Sequence, residues 1–125
     1  MRTRTYTLGL LKLPVRDIEK SAKFYAEELG FELDFVASDY GWAQLKTGEF
    51  SLALYQPGMG GGERQIGGSV DFHLVLEAQE FDELAQKMKV AKRLSGDRIH
   101  QGADGTTFIE ICDPDENLLK IFRIR

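Results

Sequence analysis

Leu13-Pro14-Val15-Arg16-Asp17-Ile18-Glu19-Lys20-Ser21-Ala22-Lys23-Phe24-Tyr25, closed by Leu29-Gly30-Phe31, reads as a strand that stops and a helix that starts. Apolar, β-capable residues run from Tyr6 to Leu13, and Pro14 ends them because it has no N–H for a ladder. Asp17 is placed to cap the helix, whose stripe Ile18, Ala22, Tyr25 and Leu29 recurs at helical spacing. Gly30 then sits where a left-handed residue closes a helix. Three strands follow at 31–37, 42–46 and 50–56, joined by turns containing Ser38-Asp39 with Gly41 and Thr47-Gly48. Pro57 to Gly68 is so rich in glycine that it reads as a linker. It lacks the Gly-Lys-Ser/Thr ending and strand-to-helix setting of a phosphate loop.

Beyond the linker the order returns. Val70 to Leu76 is expected as a strand, and Phe81, Leu84, Ala85 and Met88 as a helical stripe. Strands at 93–94, 106–112 and 117–124 complete the chain, the last two joined by a turn at Asp113-Pro114-Asp115-Glu116-Asn117. The fold class is therefore α+β: two tandem βαβββ modules with cupped mixed sheets and helices outside. Residues 1–57 form the first module, 58–69 the linker and 70–125 the second. Each module has one apolar face to cover.

With 125 residues, 42% hydrophobic and 29% charged, the chain suits one domain with a real core. No apolar run approaches the ~20 residues of a spanning helix, so no membrane partner is expected. Twenty acidic against sixteen basic residues give a net charge of -4, which removes the footprint of a nucleic-acid binder. The apolar stretch of the N-terminal segment is broken by Lys12 and followed by no small-residue cleavage site, so no signal peptide is expected. The lone Cys112 cannot form an intrachain disulfide, consistent with a reducing cytoplasm.

The segment from Leu13 to Phe31 resembles the first module of the vicinal oxygen chelate superfamily, which includes glyoxalases, bleomycin- and fosfomycin-resistance proteins and extradiol dioxygenases. The run Phe108-Ile109-Glu110-Ile111-Cys112-Asp113-Pro114-Asp115-Glu116-Asn117-Leu118-Leu119 is similar to that family's closing Asp-Pro-Asp-Gly-Asn hairpin, with Glu116 in the glycine's place. The resemblance implies the glyoxalase/bleomycin-resistance fold. In metal-using members four strand positions supply His, Gln or Glu ligands, and these fall here on Leu10, Ala53, Asp71 and Lys120. Leu and Ala cannot ligate, Lys120 brings a positive charge, and a catalytic site needs about three protein ligands. The resemblance therefore implies binding of a small organic molecule without a metal cofactor, in a homodimer. A metal-dependent lyase, isomerase or dioxygenase is the alternative.

Period-two alternation places Asp71 and His73 on one face of a strand, and Lys120 is expected to pair with Asp71 in place of a metal. This group reads either as a structural ion pair with a hydrogen-bonded histidine, the ordinary reading, or as a polar recognition or acid-base cluster. Glu110 and His73 are the candidates for proton transfer. Glu110 shares its face with Phe108 and Cys112, and reads as well as a solvated strand charge. His100 sits at an expected rim loop, where an exposed histidine is ordinary, though rim loops also carry ligand contacts. Trp42, Tyr55 and Phe122 are aromatic strand residues able either to stack on a planar ligand or to serve as core. Cys112 is expected as a buried, inert thiol.

Overall fold

The computed structural model describes residues 3–67 and 71–124. They divide into two compact units, one ending at Ile66 and the other starting at Gly67. Each unit has its own four-stranded mixed sheet. Among the described residues, no helix is long and apolar enough to cross a membrane.

The first unit contains β1 (Leu11–Pro14), α1 (Ile18–Lys23), β2 (Glu32–Ala37), β3 (Trp42–Thr47) and β4 (Phe50–Tyr55), in sheet order β1-β4-β3-β2. β1 runs parallel to β4, and the other neighbours are antiparallel. Asp17 caps α1 as expected: it is extended, and its carboxylate accepts from the Lys20 N–H at 3.1 Å. The helix continues through Phe24–Glu28 as one widened π turn, in which the Leu29 N–H donates to the Phe24 carbonyl at 3.2 Å. The inserted residue carries Leu29 off the buried stripe and leaves it half-buried, while Tyr25 stays buried and meets Phe24 and Phe31 edge-on. Gly30 has φ +84°, the left-handed closure its position demanded. α1 packs on β3 and β4, where Leu45, Leu52 and Leu54 are fully buried.

The first strand is shorter than its composition suggests. It begins at Leu11, whereas Tyr6 and Leu8 are 84% and 65% exposed. The reason is register: Pro14 pairs with Tyr55 and Leu11 with Leu52. Continuing that parallel register carries Leu8 past Phe50, where β4 starts, so residues 3–8 have no β4 partner.

The second unit contains β5 (Phe72–Leu76), α2 (Ala78–Val90), β6 (His100–Gln101), β7 (Thr107–Cys112) and β8 (Leu118–Arg123), in order β5-β8-β7-β6. Val70, expected to open β5, lies outside the described residues. Phe81, Ala85 and Met88 are the buried stripe of α2, with Leu84 at its half-buried margin. The strand expected at Arg93–Leu94 is only a single bridge from Leu94 to Ile111, and the edge position belongs to His100–Gln101. At 113–117 the chain turns on one carboxylate. Asp113 Oδ1 accepts from the N–H groups of Asp115 (2.9 Å) and Asn117 (2.8 Å), and Oδ2 from the Asn117 amide (2.9 Å). Asp113, Asp115 and Asn117 are all buried, so the turn is a structural device. Glu116 adopts φ +66°, the left-handed conformation that suits glycine.

Candidate functional site

Alternation along β5, β7 and β8 puts His73, Lys120, Phe122, Phe108 and Glu110 on one face of the second sheet. The register places His73 beside Lys120, Lys120 beside Glu110, Phe122 beside Phe108, and Phe108 beside His100 of β6. The rings form a ladder across all four strands. His73 stacks on Phe122 at 3.9 Å with planes 8° apart. Phe122 meets Phe108 at 5.0 Å and 31°, and Phe108 stacks on His100 at 5.3 Å and 18°. His73 is exposed, and the other three rings are half-buried.

Charges border this ladder. The Lys120 ammonium lies 5.9 Å from the Phe108 centroid, within reach of its negative face. His100 Nε2 is 3.5 Å from Glu110 Oε1 and 3.1 Å from the Ser95 carbonyl. Both neighbours are acceptors, so Nε2 carries a hydrogen. The face thus offers flat apolar area bordered by an ammonium and, beside it on the neighbouring strand, a carboxylate held by a histidine.

The expected pair of Asp71 and Lys120 does not form. Asp71 is exposed and precedes β5, and among the described residues no ion pair joins it to Lys120. Parallel register puts His73, not Asp71, opposite Lys120. Cys112 is exposed rather than buried. Desolvation, reinforced by the carboxylates of Asp113, Glu116 and Glu110, raises its thiol pKa, so the thiolate is disfavoured.

In the first unit, Trp42 and Tyr55 are register partners on the face of Lys12 and Ala53. Trp42 is half-buried, and its indole N–H donates to Gln44 Oε1 at 3.3 Å. Tyr55 is buried, and its hydroxyl accepts from the Arg64 N–H at 3.2 Å. The glycine-rich segment therefore lies along these rings, a contact that no local sequence signal announces. Lys12, like Phe108, matters here without having been singled out as a ligand contact. For Phe108 the signal was present, since it shares the face of Glu110.

The donors do not fit a resident divalent metal. Ala53 is fully buried and has no donor, Leu10 has none, and among the described residues no three His, Cys, Asp or Glu side chains converge.

Comparison with known proteins agrees with this architecture. The chain is 32% identical, over 126 aligned residues, to a bleomycin resistance protein of Geobacillus stearothermophilus and equally to one of Staphylococcus aureus, covering 89% of this chain and 92% of each relative. A lactoylglutathione lyase structure from Agrobacterium tumefaciens superposes with a TM-score of 0.77 at 17% identity, covering 96% of this chain and 95% of that one. A glyoxalase-related enzyme from Fulvimarina pelagi gives 0.75 at 22% identity, covering 96% and 89%. Both structural likenesses speak to the fold alone. Residues 7–121 match the Glyoxalase/Bleomycin resistance protein/Dioxygenase superfamily, and with that match, the 32% relatives and the paired βαβββ modules, the chain belongs to this superfamily.

Proposed function

We propose that this protein sequesters a small, flat organic molecule on the ring ladder of its second module, without a metal and without converting it. The observation that carries this reading is the ladder itself, four rings from four neighbouring strands left partly open on one face. Flat rings offer area and quadrupole for stacking, and a few placed charges orient what stacks. Lys120 and Glu110 are those charges. The relatives named for bleomycin resistance make bleomycin the first probe. A metal-dependent lyase, isomerase or dioxygenase would need donors that Leu10 and Ala53 lack. The protein is further proposed to act in the cytoplasm as a homodimer. Edge strand β2 exposes Leu33, Phe35 and Val36, which supports pairing.

Isothermal titration calorimetry with bleomycin in chelator-containing buffer tests the reading. Saturable binding, weakened about tenfold by Phe108→Leu with Phe122→Leu as two stacking contacts are lost, is the expected result. No heat from bleomycin or from a set of flat heteroaromatic amines overturns it. Near one equivalent of metal per chain after dialysis would overturn its metal-free part.

A further inference from the structure

The first unit holds a cation where a ligand's cation would fit. The Lys12 ammonium lies 5.2 Å from the Tyr55 ring centroid and 5.8 Å from that of Trp42, and it donates to the Gly61 carbonyl. Among the described residues no carboxylate pairs with it. Two ring faces and a carbonyl oxygen are the partners that recognise an ammonium without an opposite charge.

The surroundings are built to bring that carbonyl in. A Cβ on Gly61 would stand 2.9 Å from Tyr55 Cβ and 3.0 Å from Trp42 Cε3, and one on Gly62 only 2.7 Å from the Tyr55 ring. Only glycine lets this backbone lie on the rings. The Arg64 N–H bond to the Tyr55 hydroxyl holds the segment there. The location also repeats that of the second module. Trp42 and Tyr55 pair across β3 and β4 beside Pro14 of β1, as Phe108 and Phe122 pair across β7 and β8 beside Val75 of β5.

We propose that Trp42, Tyr55 and the Gly61 carbonyl form a second site, for an organic ammonium, which the chain fills with its own Lys12. Lys12 is exposed, so an incoming ammonium competes with a tethered side chain that can swing into water. The site is independent of the ladder reading, because every residue in it belongs to the first unit.

The test uses Trp42, the chain's one tryptophan, as a fluorescence reporter during titration with methylammonium chloride, which keeps N–H donors for the Gly61 carbonyl, against sodium chloride at matched ionic strength. Lys12→Ala, with circular dichroism showing it folded, should bind methylammonium about tenfold more tightly than wild type once the internal competitor is gone. Lys12→Arg keeps a cation and should stay near wild type. Should the alanine variant not fold, Lys12→Gln takes its place in the same comparison. Equal responses to the two salts overturn the proposal. So does a folded Lys12→Ala that gains no ammonium affinity, even if trypsin cuts it faster after Arg64, since Lys12 is then only a latch on the glycine segment.

Discussion

The imidazole of His73 and the ring of Phe122 stack face to face, their centroids 3.9 Å apart and their planes 8° from parallel. They come from strands that are parallel neighbours, yet the residue directly opposite His73 is Lys120, and Phe122 is the diagonal neighbour one pleat on. A diagonal contact of this kind is within reach of aromatic side chains. A double-mutant cycle with His73→Ala and Phe122→Leu, read by urea unfolding, should give a coupling of about 1 kcal/mol. Additive losses would mean that the stack contributes nothing beyond burial.

The closing turn predicts a gain. Glu116 holds φ +66°, where a Cβ crowds the backbone. Glu116→Gly should stabilise the protein by up to about 1 kcal/mol, the relief of strain exceeding glycine's greater loss of chain entropy. Asp113→Ala should act in the opposite sense and cost about 2–4 kcal/mol, because it strands three donors that its buried carboxylate satisfies. Thermal unfolding of the two variants checks both signs.

Cys112 is exposed but surrounded by negative charge. Burial of part of the thiol, then Asp113, Glu116 and Glu110, push its pKa above the ordinary value of 9.0. Only the thiolate is nucleophilic, so iodoacetamide should alkylate Cys112 more slowly than a free thiol at neutral pH, with the rate rising through a higher midpoint. Glu116→Gln removes one of those charges and should move the midpoint down. A pH–rate profile of alkylation followed by mass spectrometry decides it.

Asp71 and Lys120 should behave independently. Asp71→Leu, Lys120→Met and the double variant are expected to give an interaction below about 0.5 kcal/mol in urea unfolding, as for sites without a shared contact. A coupling of several kcal/mol would require the buried ion pair that the register of β5 and β8 does not provide.

What the sequence determined by itself is local or periodic. The Asp17 cap, the Gly30 closure, the order of strands and helices, and the shared face of Phe108 with Glu110 all follow from spacing of two or 3.6 residues and from turn chemistry. What only the tertiary structure decided depends on partners far apart in the chain. Tyr6 and Leu8 have strand composition but no β4 partner, because the pairing of Pro14 with Tyr55 sets the parallel register. Lys120 was matched with Asp71 because alternation fixes a face but not the offset between strands, and the true offset sets it against His73 and Glu110. The glycines at 61 and 62 read as a flexible linker from composition alone. Their lack of side chains acquires its meaning only where β3 and β4 bring Trp42 and Tyr55 together beneath them.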